Sequence, residues 1–390
     1  MKRMRRVERC AAILALAAAL PAAAATLRAT LIVPADDPRL ERTRTERAYM
    51  GHPGGPARDG VQVALEEAKF ELDAAGAGVA FDTVEAASLD AAKAAALQAE
   101  KAGAAALLID LPTDWTKAIA AAIKLPVLNV GNAADSLREA DCRANLWHLL
   151  PSERMRADAL AQTLVARKWS NLLVLSGSGA ADGPRAAAAQ AAIKRYGLKV
   201  VASKSFKLSA DPRERDAANP LLLTGGGLNY DAIWVIDSDG EFARSLPYRT
   251  ALPRPVVGDA GLTALAWHAQ FERFGAPQVV RRFAKATQRA MTANDWASWM
   301  AGRALTTAAL AAPKGPNAAW AKALTGTELD GSKGVTMSFR PWDGQLKQTM
   351  LLTDGQGVIG TAPIDGILHP KNALDTLGAD APEKLCKART

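Results

Sequence analysis

The side chains of this chain that could do chemistry are mainly carboxylates, and they stand where strands are expected to end. Asp36 and Asp37 follow an apolar run at 29–33, Asp110 and Asp114 follow one at 104–109, and Asp237 and Asp239 follow one at 232–236. Acids gathered at strand exits could hold a hard cation in a cleft. The run Asp237-Ser238-Asp239-Gly240-Glu241 is no complete calcium loop, because its glycine stands fourth rather than sixth and position twelve is Tyr248. The glycine-rich stretch 176–183 lies between an expected strand and a helix opened by Pro184. Its third glycine comes one residue late for a dinucleotide-binding turn, and no acid closes the next strand, 199–203. What survives is a helix N-terminus whose N–H groups could receive an anion or carboxylate. The four histidines, His52, His148, His268 and His369, lack ligand spacing. No metal centre, catalytic triad or cofactor is expected, and the chain is not expected to be an enzyme.

These residues need a scaffold, and the stretch 125–152 shows which one. It runs from a short apolar strand at 127–130, through Gly131, Asn132 and Asp135, to a second apolar run at 146–150, and Ser152 can cap the next helix. Strand and helix alternate before this stretch and begin afresh after it, the pattern of a chain leaving one α/β lobe for another. Before it come strands at 29–33, 79–84 and 104–109, a long loop at 36–56, and helices capped by Asp59 and Ser88; a helix at 115–123 follows. After it come a helix with Ala157, Leu160, Ala161, Leu164 and Val165 on one face, strands at 172–175, 199–203, 232–236 and 255–258, two long helices from Pro277 and Thr292, and late strands at 335–339, 347–353 and 358–361. The fold class is α/β, with two Rossmann-like lobes joined by crossover strands near 145–151, 258–265 and Phe339. The expected boundaries are 26–144 with 262–338 for the first lobe, and 145–261 with 339–390 for the second lobe and C-terminal tail.

At 390 residues with 49% apolar and 23% charged side chains, the chain has the size and composition of two or three globular domains. Residues 1–25 carry a basic head, an apolar stretch from Cys10 to Leu20, then Pro21 and small residues, the form of a secretory signal peptide. Without it the formal charge of +8 falls to +4, since five basic residues and Glu8 go with it. With no basic stripe interleaved with aromatics, nucleic acid is not an expected partner. Removal of the signal leaves two cysteines, Cys142 and Cys386. An even count in an oxidising compartment favours a disulfide between them, the alternative being two separate thiols.

The segments VLNVGN to LLPSERMRADALAQ and FRPWDGQLKQTMLL, with the signal and the strand–helix series, resemble the type I periplasmic substrate-binding proteins of ABC transporters, of the branched-chain amino acid-binding sort, over the whole mature chain. More narrowly, DCRANLWHLLPS, PWDGQLKQTMLL and ILHPKNALDTLG resemble the subgroup associated with pyrroloquinoline-quinone-dependent alcohol dehydrogenase systems. The resemblance implies a monomeric periplasmic receptor that closes on a small solute and delivers it to a membrane permease, its only contact with the membrane. Its alternative is a sensor or docking protein of the same fold, acting on a membrane kinase or on the dehydrogenase. Two departures weigh against a leucine-like ligand: the long segment 36–56 replaces a short Ser/Gly turn, and Pro112-Thr113-Asp114-Trp115 stands where Ser-Ser or Ser-Thr is usual. On this reading Asp36, Thr113, Asp114 and Asn132 contribute from the first lobe, with Trp115 as an apolar wall. Ser176, Ser178 and the helix after Gly183 contribute from the second, and Asp237 and Asp259 hold a cationic group.

Overall fold

The computed structural model describes residues 26–42 and 50–389, so the expected signal peptide lies outside the described residues. The first sheet is wholly parallel in the order β2-β1-β3-β4-β5, with β1 at Thr26–Pro34, β2 at Gly78–Ala86, β3 at Ala106–Ile109, β4 at Val127–Asn129 and β5 at Leu146–His148. Strand alternation divides β1 between two cores. Leu27, Ala29 and Leu31 join one core with α1 (Arg58–Glu67), α2 (Lys69–Ala75) and the late helices, while Ile32 joins Leu107 and Ile109 under α3 (Leu89–Lys101) and α4 (Thr113–Ala122). Ser88 caps α3 through the Ala91 N–H, as its position suggests. Asp59 is not a cap: the N-cap position belongs to Ala57, and Asp59, inside the first turn, pairs with Arg289 at 2.9 Å.

The second sheet is also parallel, in the order β7-β6-β8-β9, with β6 at Asn171–Ser176, β7 at Lys199–Ser205, β8 at Ala232–Ile236 and β9 at Val256–Gly258. Leu172, Val174, Trp234 and Ile236 pack beneath α5 (Glu153–Ala166) and α6 (Asp182–Arg195). Leu173, Leu175, Ile233 and Val235 pack with Phe206 and Phe242, whose rings stack 4.0 Å apart. The short helix α7 (Pro220–Thr224) lies on that face. Ser152 caps α5 as expected. The expected single apolar stripe of α5 is instead burial all round, from Ala157 to Leu164, because the C-terminal tail covers its outer side. Asp158 on that side accepts the Gly378 N–H at 2.8 Å.

After β9 the chain enters β10 (Thr263–Leu265), then α8 (Ala276–Thr287), α9 (Ala293–Ala311) and α10 (Asn317–Gly326). α9 begins in a Thr292/Asp295 capping box and lies across α1. Gly302 makes this crossing possible: a Cβ there would stand 2.6 Å from the Ala64 Cβ and 2.9 Å from the Val61 carbonyl oxygen. Of the expected late strands the first two are shorter, and the last two pair as a hairpin around Asp354-Gly355. β11 (Leu329–Asp330) pairs with β12 (Thr336–Met337), while β13 (Met350–Thr353) lies antiparallel between β10 and β14 (Val358–Ala362). This third sheet joins the two larger units. Ala264, Met350 and Leu352 face the core under α5, and Leu265 and Leu351 face the core of α1 and α9. The chain passes between those cores at 149–155, at 258–265 and at 339–350.

The tail is pinned at several points. Cys142 and Cys386 form a disulfide with their Cα atoms 5.6 Å apart. Arg389 donates to the Leu146 carbonyl at 2.8 Å and lies over the Trp147 ring. Burial pushes the Asp158 carboxyl up to about 6, against the Arg195 charge and the Gly378 N–H. Because its folded pKa lies above the unfolded one, its favourable contribution is complete below about pH 4 and is lost as pH rises through about 6. Asp158→Asn is therefore expected to gain about 1–3 kcal/mol on the wild type between pH 4 and pH 8, read by urea unfolding. An equal stability difference at both pH values would contradict this.

Candidate functional site

In an open parallel sheet the ligand crevice lies beyond the carboxyl ends of the strands, where the strand order reverses. In the first sheet that point lies between β1 and β3. The Arg39 guanidinium joins the two exits, 2.6 Å from Asp37 Oδ2 and 2.8 Å from Asp110 Oδ1. Burial alone would raise the Asp37 carboxyl, but the hydrogen bonds and charge of Arg39 hold it below its usual value. Burial likewise opposes the Arg39 charge, and Asp110 and Asp37 outweigh it, raising its pKa. Beside this bridge lies a cavity of about 460 Å³. Leu31, Val33, Pro34, Leu40, Pro56 and Ala57 form most of its apolar lining. Asp37 and Asp110 of the bridge reach it, Asp36, Glu41, Thr83 and Glu85 add further polar groups, and Arg58 is the one cation among the described lining residues. Asp36 and Glu85 are exposed.

The other first-lobe candidates divide between structure and surface. Asn132 donates to the Leu111 carbonyl and to Thr113 Oγ1 at 3.0 and 3.1 Å, and accepts the Ala134 N–H at 3.0 Å. It therefore holds the exit loop of β4 to the start of α4. α4 starts two residues earlier than expected, so Thr113 and Asp114 sit in its first turn rather than in the exit loop, and Trp115 lies in the helix as read. Asp114 is exposed, and Trp115 is half-buried and packs against the core around Ile119. Arg138 is buried beneath this loop, donating to the Asn132, Ala134 and Leu150 carbonyls and to Gln345 Oε1, and burial lowers its pKa to about 10.

In the second sheet the expected groups stand on neighbouring strand exits, and the carboxylates of Asp237 and Asp259 are engaged within the lobe. Asp182 supplies the anion at the start of α6: its carboxylate accepts the Gly179 N–H at 2.7 Å and the Ser238 N–H at 2.6 Å. It joins the loop carrying Ser176 and Ser178 to the loop carrying Asp237. Ser178 is exposed and Ser176 half-buried. Asp237 accepts the Ala243 N–H, and its own N–H donates to Asp259, both at 2.8 Å. Burial, then the nearby charges of Asp259 and Asp182, raise the Asp237 carboxyl. Asp259 already has cationic partners, Arg185 at 3.1 Å and Arg156 at 3.7 Å. Glu153 faces the same arginines at 3.2 Å, and their charges overcome burial to lower its pKa. Two acids and two arginines make a balanced set, and the space beside them is only about 30 Å³. Among the described residues no three His, Cys, Asp or Glu side chains converge to hold a metal.

The sequence reading missed what the long first loop does. Residues 50–57 form a strap across the space between the lobes. His52 Nε2 is 2.9 Å from the Ser238 carbonyl oxygen, so the ring donates there from the first lobe to the second. A Cβ on Gly51 would lie 3.3 Å from an Arg156 guanidinium nitrogen and 3.7 Å from a Leu265 methyl, and one on Gly355 would lie 3.1 Å from the Met50 sulfur. The strap thus touches both lobes and the joining sheet. Pro56 and Ala57, at its end, line the large cavity. The Gly-Gly-Pro sequence at 54–56 marks a loop, but nothing in its spacing shows where a loop lands.

No protein-family profile matches this sequence and no curated protein matches it, whereas solved structures do. A periplasmic binding protein from Burkholderia mallei is similar at TM-score 0.68 and 13% identity, over 94% of this chain and 99% of that one. A solute-binding protein of an ABC transporter from R. palustris, in complex with benzoate, is similar at TM-score 0.63 and 14% identity, over 86% of this chain and 96% of that one. An ABC transporter substrate-binding protein from Desulfitobacterium hafniense, in complex with Leu, is similar at TM-score 0.65 and 14% identity, over 85% of this chain and 98% of that one. At such identities the likeness speaks for the architecture, and with the two parallel sheets and their joining strands it establishes that this chain has the two-lobe α/β fold of the type I periplasmic binding proteins.

Proposed function

We propose that this chain is a non-enzymatic periplasmic receptor that takes a small solute in the cavity at the β1–β3 switch point and presents it to an ABC permease. The observation that carries the reading is that cavity: about 460 Å³ falls within the roughly 300–1,000 Å³ usual for small-ligand sites. The compensated Asp259 set and the strap argue against a site centred on the second lobe. An apolar lining with carboxylates at Asp36 and Glu85 suits a solute with an apolar body and a hydrogen-donating or cationic head. The resemblance of 141–152, 341–352 and 367–378 to the quinone-dependent dehydrogenase subgroup extends the proposal to solutes of alcohol oxidation.

A thermal-shift screen of alcohols, acids, amines, amino acids and the quinone tests it. A solute at a hundred times its Kd is expected to stabilise the chain by about 2.7 kcal/mol. Glu85→Gln and Asp36→Asn, both at exposed positions, are expected to weaken binding of such a head group roughly tenfold without changing the unliganded Tm. A binding solute indifferent to both substitutions, but displaced by Ser178→Trp, would move the site to the second lobe.

A further inference from the structure

We propose that the second lobe carries a membrane-contact surface, formed by α7 and the loop 248–254, that rests on anionic phospholipid headgroups. Asn219 caps α7 through the Leu221 N–H at 3.1 Å. The helix then turns Pro220, Leu223 and Thr224 inward and leaves Leu221 and Leu222 outward, each 56% exposed. The loop 248–254 lies against its end, where the Ala251 N–H donates to Thr224 Oγ1 at 2.8 Å. A Cβ on Gly225 would be 2.7 Å from the Leu221 carbonyl oxygen and 3.6 Å from the Ala251 Cβ, so the two segments meet there. The loop adds Tyr248, 87% exposed, and Leu252. Four large apolar side chains so placed form a patch of the kind that marks an interaction site.

Cations outnumber acids around this patch, where exposed Asp216, whose carbonyl accepts the Asn219 N–H, is the acid on the α7 side. Lys204 donates to the Leu222 and Leu223 carbonyls at 3.3 and 2.6 Å, and Arg249 and Arg254 are exposed beside Tyr248 and Leu252. Asp231, which Arg254 reaches electrostatically, is turned to the Ser170 and Asn171 N–H groups. The apolar side chains project from a short helix and a loop and line neither a groove nor a sheet edge, so the patch does not suit the groove- and edge-binding modes of peptide recognition. Leucines, a tyrosine and cations together are what the bilayer interface accommodates: acyl boundary, headgroup level and phosphate respectively. Three cations at an anionic leaflet are worth roughly a hundredfold in binding. The patch also adjoins the starts of β8 and β9, since Tyr230 donates to the Thr224 carbonyl and loop 248–254 leads into Pro255. It therefore lies toward the strand ends opposite those that carry Asp237 and Asp259, and contact with a membrane leaves the strap and cavity open to solvent.

Co-sedimentation of the purified chain with vesicles tests this, using phosphatidylcholine alone against equal parts phosphatidylcholine and phosphatidylglycerol. Binding is expected to be at least tenfold stronger to the anionic vesicles and to fall with added salt. The pairs Leu221→Asp with Leu222→Asp, and Arg249→Glu with Arg254→Glu, should each reduce it about tenfold while leaving the Tm unchanged, as these side chains are exposed. No sedimentation, equal sedimentation with both vesicles, or indifference to both pairs would overturn the proposal. Capture by soluble polyglutamate at the same salt, without vesicle binding, would assign the surface to an acidic protein and also overturn it.

Discussion

Arg340→Ala is expected to lower stability by about 3–5 kcal/mol, because it breaks a buried ion pair and leaves the buried Asp375 carboxylate with only the more distant Lys347 at 3.7 Å. Arg340 is fully buried. Its Nε donates to Asp375 Oδ1 at 2.9 Å, and its Nη2 donates to the Leu374 and Leu377 carbonyls at 2.8 and 2.9 Å. The planar guanidinium thus gathers the turn at 372–377 onto the segment between the lobes. Arg340→Lys should recover little, since an ammonium cannot match that fork of donors. The double variant Arg340→Met with Asp375→Leu should lose less than Arg340→Ala, as of the two carboxylates facing the guanidinium only Asp343, 3.8 Å away, is then left buried without it. Urea unfolding of the three variants decides it. A loss below about 1 kcal/mol for Arg340→Ala would place the pair among exposed ion pairs and mean that the tail is not docked as described.

Cys386→Ser is expected to destabilise the chain by about 2–5 kcal/mol. The disulfide spans 244 residues of sequence, and the chain-entropy account gives about 5 kcal/mol for such a loop as an upper figure. Its effect acts on the unfolded chain, so the other pins on the tail, Arg154–Glu383 at 2.7 Å and the Arg340 cluster, do not replace it. Unfolding with and without reductant should reproduce the shift in the wild type and show none in the variant. Two alkylatable thiols on native oxidised protein would contradict the bond.

What the sequence shows of this protein is what depends on neighbouring residues. The strands at 127–130 and 232–236 read correctly because continuous apolar runs bounded by turns have few other outcomes, and Ser88 and Ser152 cap because a cap needs only the next three residues. Errors of a residue or two, such as α6 starting at Asp182 rather than Pro184, arise where contacts outside the helix fix its first turn, here the Asp182 carboxylate on the Gly179 and Ser238 N–H groups, which periodicity does not report. The all-round burial of α5 was hidden because the covering residue, Gly378, is 220 positions from Asp158. The site was less legible still. Carboxylates at strand exits were visible, but their partners were not: Arg39 for Asp37 and Asp110, and Arg156 and Arg185 for Asp259. A charge looks available for a ligand until the residue that neutralises it is found. For Asp110 and Asp259 that residue lies far away in sequence, while for Asp37 it is two positions on and hidden only by the turn of the loop, which spacing does not report.

The measurement that bears most directly on the receptor reading is amide hydrogen exchange with and without the best solute from the thermal screen. The account predicts slowed exchange at 31–41, 56–58 and 83–85, the segments around the cavity, and a smaller effect in the strap at 50–55. Protection confined to 176–179 and 237–241, with 31–41 unchanged at saturation, would contradict it.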